Sequence, residues 1–94
     1  MKNPEFDWDI EFDNFLNSLN DNDAAKLLAV IENIERFGLR IAQRQEWVKK
    51  LENNLYEIRA KASGNALRGI YFQVENNNYF ITQGFKKKTN KTPK

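Results

Sequence analysis

The chain has 94 residues, of which 40% are hydrophobic, and its formal net charge at pH 7 is +2. This length predicts a single domain over residues 1–94 with a small core. The chain contains no cysteine and no histidine, which excludes disulfides, thiolate metal sites, a catalytic thiol and the side chain that titrates nearest pH 7. No apolar run approaches the ~18 residues of a membrane span, and Met1 and Lys2 precede acidic residues rather than a signal-peptide core. We therefore expect a cytoplasmic protein.

The N-terminal segment alternates between apolar and acidic residues from Phe6 to Asp13. A period of two residues is typical of a strand with one face in the core, so we predict a strand over 6–12. Asp13 is a suitable N-cap for a short helix over 14–19. Apolar residues also recur here at helical spacing, so the point at which the strand gives way to the helix stays open. We interpret the acidic residues as the solvated face of the strand rather than as a magnesium site.

The next segment has the pattern of an amphipathic helix over 24–37. Asp23 is its predicted N-cap, and Gly38 marks its end. Its apolar stripe comprises Leu27, Leu28, Ile31, Ile34 and Phe37. Such a stripe predicts that the helix covers one face of a sheet. Residues 39–54 have no clear period, and the pattern there suggests at most one further helical turn over 46–51.

Three runs rich in aliphatic and aromatic residues follow, over 55–61, 66–74 and 79–88. They are separated by Ser-Gly-Asn and by three consecutive asparagines. Turn residues between such runs predict a three-stranded antiparallel meander over 55–86. The polar, basic tail over 87–94 is predicted to be mobile.

Side chains alternate between the two faces of a strand. In the first run, Arg59 therefore faces away from Ile58. In the third run, strict alternation places Phe85 on the same face as Ile81. Gly69, within the second run, suggests a bulge or a close approach of another part of the chain.

The positive charge is concentrated in the second half of the chain. Residues 1–58 hold 7 Lys and Arg against 12 Asp and Glu, whereas residues 59–94 hold 8 against 1. Basic residues at the ends of the first and third strands should share one concave surface: Arg59, Lys61, Lys86 and Lys87. Such a surface is a candidate for binding nucleic acid or another phosphate compound. Chance segregation of solvated charge is the alternative.

Clustered Arg and Lys side chains suit a phosphodiester, because guanidinium groups offer paired donors and keep their charge. The same charges can stabilise the extra negative charge of a pentacoordinate phosphorus. RNA brings its own nucleophile, the 2′-OH, so an RNA-cleaving enzyme needs a positioned backbone, charge stabilisation and proton transfer. Without histidine, the base in this scheme would be a lysine with a lowered pKa. Phe85, beside Lys86, is a candidate for stacking on a nucleobase.

Three pieces of the chain carry a family resemblance: Leu-Tyr-Glu-Ile-Arg at 55–59, Ala-Leu-Arg-Gly-Ile-Tyr-Phe at 66–72, and the basic ending at 84–94. They resemble the RelE/HigB-like toxins of type II toxin–antitoxin systems, in their phage-derived branch. The resemblance implies an α+β, RelE-like microbial RNase fold, with a small, twisted, mainly antiparallel sheet of about four strands packed on an N-terminal helix pair. It also implies a ribosome-dependent mRNA endonuclease that acts by metal-free 2′-OH attack.

The same resemblance implies roles for particular residues and partners. Those matched as catalytic are Arg59, Lys61, Arg68 and Lys86, and those matched as RNA-binding are Phe85, Lys87 and Lys88. No cofactor, metal or membrane is implied. The implied partners are a helix-turn-helix antitoxin, the ribosome with its mRNA, and operator DNA only through the antitoxin. Glu57 stands where some relatives carry a cation, and the identity of the general base stays open. A non-catalytic module, or a ParE-like gyrase inhibitor of the same fold, is the alternative.

Overall fold

A computed structural model describes residues 3–88, with side chains up to Lys87. The elements in chain order are β1 (Glu5–Trp8), α1 (Ile10–Ser18), α2 (Asp21–Phe37), α3 (Leu39–Arg44), β2 (Val48–Glu52), β3 (Leu55–Ala62), β4 (Asn65–Glu75) and β5 (Asn78–Lys88). The fold is α+β, as the sequence predicted. Most of the tail for which mobility was predicted lies outside the described residues, although β5 continues through Lys88.

The strands form one mixed sheet of five strands in the order β1-β5-β4-β3-β2. β2 to β5 make an antiparallel meander, and β1 joins β5 in parallel. The prediction of about four strands was one strand short because β2 carries almost no apolar pattern. Only Val48 is buried in this edge strand, where it pairs with Ile58. The helical turn suggested over 46–51 is wrong for the same reason.

The change from strand to helix near the N-terminus comes earlier than predicted. β1 ends at Trp8 and α1 begins at Ile10, so the strand does not extend over 6–12. Asp9 is the N-cap, and its Oδ1 accepts a hydrogen bond from the Ile10 N–H at 2.8 Å. Asp13 instead lies within the helix, where its Oδ1 accepts a hydrogen bond from the Trp8 indole at 2.9 Å. The helical spacing of the apolar residues therefore overrides the alternating pattern.

The helices number three among the described residues, not two, and they lie between β1 and β2 in the chain. α2 starts earlier than predicted because Asn20 is its N-cap, with its Oδ1 accepting a hydrogen bond from the Asp23 N–H at 2.8 Å. It ends at Phe37, and Gly38 takes a φ of +92°, which favours glycine. No helix within residues 3–88 is long and apolar enough to cross a membrane.

The helices cover one face of the sheet, which we call the helix face. The buried sheet residues that form the core on this face are Phe6, Val48, Ile58, Ala60, Leu67, Tyr71 and Ile81. Gly69 and Gly84 pair with each other beneath the aromatic rings of α1. A Cβ on Gly84 would lie 2.3 Å from the Cδ2 atom of Phe15. These two glycines therefore allow α1 to lie directly on the sheet.

The other face of the sheet, which we call the open face, has no helix of residues 3–88 packed on it. A β-bulge determines which residues of β5 reach it. Ile70 pairs with Gln83, but the next residue, Tyr71, pairs with Ile81, so β5 contains one extra residue. The bulge reverses the alternation between the two strands. Ile81 faces the core while Phe85 lies on the open face, so the prediction that they share a face is wrong.

Candidate nucleic-acid interface

The pairing of β3, β4 and β5 gathers most of the predicted site residues on the open face. Directly paired residues of antiparallel strands share a face. Arg59 pairs with Arg68, which in turn pairs with Phe85. Two residues further along the strands, Lys61 and Lys87 both pair with Ala66 of β4. Three adjacent strands thus present four cations and an aromatic ring on one surface.

Glu57 lies at the centre of this surface. Its Oε2 atom is 3.6 Å from the Nε atom of Arg59 and 3.6 Å from the Nε atom of Arg68. The Glu57 residue is only 9% exposed, and the side chain of Arg68 only 11%. A carboxylate that is this buried needs opposite charges beside it. Glu57 therefore holds two guanidinium groups side by side on the open face.

Arg68 is the most constrained cation of the cluster. Its Nη1 donates a hydrogen bond to the Leu67 carbonyl oxygen at 3.3 Å. Burial lowers the pKa of Arg68, the Glu57 carboxylate opposes this shift, and the charge of Arg59 adds to it. Arginine stays charged at neutral pH even when its pKa falls somewhat, because its ordinary value is so high. Arg68 is thus a fixed positive charge in a partly desolvated position.

A hollow of about 300 Å³ opens beside the arginines. It is lined by Gln45, Glu46, Arg59, Ala60, Lys61 and Arg68. The turn before β2 forms one wall, held by a hydrogen bond of 2.7 Å from the Arg59 N–H to the Trp47 carbonyl oxygen. Glu46 takes a φ of +63° in this turn. Three cationic side chains line the hollow, against the carboxylate of Glu46 on its rim and that of Glu57 beside the two arginines. The remaining excess of one positive charge suits a phosphate group.

Lys86 does not share this hollow. It pairs with Leu67, whose fully buried side chain belongs to the helix face. The Lys86 side chain is exposed. The expectation that Lys86 shares one concave surface with Arg59 and Lys61 is therefore wrong. The bulge in β5 is the physical reason, because without the extra residue Lys86 would lie opposite Ala66 on the open face.

The other predicted site residues are Phe85, Lys87 and Lys88, all on β5. Phe85 is 39% exposed and lies beside Arg68. Lys87 is exposed on the open face. The backbone of Lys88 pairs with Asn65, but its side chain lies outside the described side chains.

Sequence reasoning did not propose a functional role for Glu57. The signal was present, because Glu57 shares the alternation of Arg59 and is one of only two acidic residues from position 57 to the end of the chain. A buried acid in a basic strand pattern indicates a paired charge. The acidic N-terminal residues interpreted as solvated form no group suited to a metal ion among residues 3–88.

Comparison with known families identifies the class of protein. The family model described as phage derived protein Gp49-like (DUF891) matches residues 14–94, which is most of the chain. The chain therefore belongs to the Gp49-like family. This family is a toxin family associated with toxin–antitoxin modules. No curated protein matches the chain significantly.

Proposed function

We propose that this chain is the toxin of a type II toxin–antitoxin module and that it cleaves mRNA on the ribosome by metal-free attack of the 2′-OH on the adjacent phosphate. The observation that carries the proposal is the buried Glu57 carboxylate between two guanidinium groups on a face that no described helix covers. Membership of the Gp49-like family supports the toxin role. The resemblance to RelE/HigB-like toxins supports ribosome-bound mRNA as the substrate.

Arg59 and Arg68 are the phosphate-binding residues in this proposal. Their guanidinium groups lie on one carboxylate oxygen, so they are close enough together to bind one phosphate. Preorganised positive charge stabilises the negative charge that develops on phosphorus as the 2′-oxygen attacks. Lys61 and Lys87, at the end of the same face, are placed to bind the neighbouring backbone.

Glu57 is the proposed general base, in place of the lysine that the sequence suggested. It accepts the 2′-OH proton as the 2′-oxygen bonds to phosphorus. The bond from phosphorus to the 5′-oxygen then breaks, and the leaving oxygen takes a proton from the ammonium group of Lys61 or Lys87, or from water. A base must lie within hydrogen-bonding reach of the proton that it takes, and Glu57 is the carboxylate closest to both arginines.

The proposal is tested by inducing the protein in cells and mapping mRNA 5′ ends during growth arrest. Wild type should create new 5′ ends within translated messages, and Arg68→Ala should reduce them at least 100-fold. Arg44→Ala, an exposed arginine of α3, is the matched control and should act as wild type does. Growth arrest with intact mRNA and damaged DNA would instead identify a gyrase inhibitor.

The proposed partner is a helix-turn-helix antitoxin that recognises the operator DNA on behalf of the pair. The family association with toxin–antitoxin modules supports such a partner. Coexpression with the product of the neighbouring gene should yield a stable complex and restore growth. Failure both to copurify and to restore growth would count against this partner.

A further inference from the structure

The open face continues past the arginine cluster to a pair of aromatic residues. Phe72 of β4 pairs with Phe80 of β5, and their ring centroids are 5.9 Å apart with the ring planes tilted by 51°. Both rings are partly exposed. We propose that Phe72 and Phe80 form a nucleobase-stacking subsite for single-stranded RNA, an inference that rests on the proposed function of the neighbouring cluster.

The aromatic pair lies on the same face as Arg68, further along the strands. Arg68 and Phe72 are four residues apart on β4 and share the open face, which separates them by about 13 Å at ~3.3 Å per residue. Glu57 and its neighbours lie between them, because Glu57 pairs with Ile70. A phosphate bound by Arg68 would therefore leave the aromatic pair within reach of an adjacent nucleotide rather than the cleaved one.

Aromatic rings lie on both sides of Glu57. Phe85 lies beside Arg68 at one side, and the Phe72–Phe80 pair lies at the other. Proteins that bind unpaired RNA stack its splayed bases on such rings. Two bases stacked on opposite sides of Glu57 would stretch the backbone between them across the carboxylate and the two arginines.

The open face also carries positive charge on every strand from β5 to β2. Lys49 of β2 pairs with Glu57, so it lies on this face, and its side chain is exposed. The positive charges thus extend across the strands from Lys87 past Arg68 and Arg59 to Lys49, whereas the aromatic rings follow β4 and β5. A face that carries both cations and aromatic rings suits a chain of phosphates and bases better than an uncharged apolar peptide.

The test uses fluorescence anisotropy with a labelled single-stranded RNA hexamer whose 2′-oxygens are methylated, so that it cannot be cleaved. Phe72→Leu, which keeps apolar bulk but removes the ring, should weaken binding about 5- to 150-fold, since one stacked base contributes roughly 1–3 kcal/mol. Val74→Ala is the control, because Val74 is an apolar residue of the same strand that is 58% exposed, and it should bind as wild type does. Circular dichroism checks that each variant is folded.

A second measurement identifies the stacked base directly. One nucleotide at a time is replaced by an abasic residue in the same RNA. At one position, the abasic RNA should bind wild-type protein more weakly than the intact RNA does, by the same factor as the Phe72→Leu substitution causes. The Phe72→Leu protein should bind this abasic RNA and the intact RNA equally well. Phe72→Tyr, which keeps an aromatic ring, should retain affinity for the intact RNA.

The inference is overturned if Phe72→Leu and Phe80→Leu bind the RNA as tightly as wild type while Arg68→Ala does not. It is also overturned if these variants retain RNA binding but lose the antitoxin, because the aromatic pair would then be a protein-docking surface. Wild type that shows no Arg68-dependent binding of the free RNA would also overturn the subsite, whereas the mapping of mRNA 5′ ends decides the proposed function. These results separate failure of the subsite from failure of the nuclease.

Discussion

Glu57 and Arg68 together show how individual side chains define the site. Each would be costly to bury alone, because a desolvated charge needs a partner. With Arg59 they form a group in which one carboxylate separates two like charges at 3.6 Å from each. In the proposed function, a bound phosphate would replace part of this interaction. The group is therefore an ion-pair network that we also propose as the anion site.

Tyr71 gives a prediction on pH at the scale of the residue. Burial, with smaller effects from Tyr79 and Tyr56, raises the pKa of Tyr71 above its ordinary range. The folded state thus favours neutral Tyr71, so its contribution to stability is present below the unfolded pKa of about 10 and is lost as pH rises above it. Between neutral pH and a pH of about 11, the unfolding free energy of wild type should therefore fall by about 1 kcal/mol more than that of Tyr71→Phe.

Urea titrations of wild type and Tyr71→Phe at neutral and alkaline pH measure this difference. Equal alkaline losses in wild type and Tyr71→Phe would show that Tyr71 ionises no differently in the folded and unfolded states.

At the scale of the element, the meander was the most predictable part of the fold. The alternation in β3 correctly separates Arg59 from Ile58, because apolar and charged residues alternate there without interruption. β2 was missed because it contains two lysines and only one buried residue, Val48, so its sequence shows no apolar alternation. The start of α1 was missed because Asp9 caps the helix, while Asp7 and Asp13 could do so equally well by sequence.

The contact of α1 with β5 gives a prediction on stability. Gly84→Ala should lower the free energy of unfolding by about 1–3 kcal/mol, because the added methyl group overpacks the contact with Phe15. The Cβ would also lie 2.9 Å from the backbone oxygen of Arg68, which cannot rotate away. Gly69→Ala is the matched control, since its Cβ would come no closer than 3.4 Å to the side chains packed above it, at Phe12.

Urea denaturation compares the two glycine variants with wild type. The larger loss should occur in Gly84→Ala. A loss in Gly69→Ala that equals or exceeds that of Gly84→Ala would contradict the packing of α1 described above.

At the scale of the whole molecule, the bulge in β5 determines which lysines belong to the site. Sequence matching selected Lys86, two residues after Gly84, as a member of the cluster. Strand alternation without a bulge would agree, but the extra residue in β5 places Lys87 there instead. A bulge of this kind leaves little trace in composition or periodicity, since a single extra residue reverses every later side chain. The sequence therefore predicted that the surface is basic, but it did not predict which of the two lysines lies on it.

The two lysines give a prediction that follows from this placement. Lys87→Ala should weaken RNA binding about 3- to 10-fold and reduce its salt dependence, because one phosphate contact is lost. Lys86→Ala should stay within about twofold of wild type, since its side chain lies on the other side of the sheet. Anisotropy titrations at several salt concentrations measure both quantities. The reverse order of effects would show that Lys86 reaches the RNA.

The chemistry of the RNA ends tests the central claim most directly. Attack by the 2′-oxygen must leave a 2′,3′-cyclic phosphate on one fragment and a 5′-hydroxyl on the other. Ribosomes translating a defined mRNA are incubated with wild type, Glu57→Gln, Arg68→Ala and the control Arg44→Ala, and the new ends are analysed. We expect these ends from wild type and Arg44→Ala, with at least 100-fold fewer from the other two variants. New ends that carry a 5′-phosphate, or undiminished cleavage by Glu57→Gln and Arg68→Ala, would contradict the account.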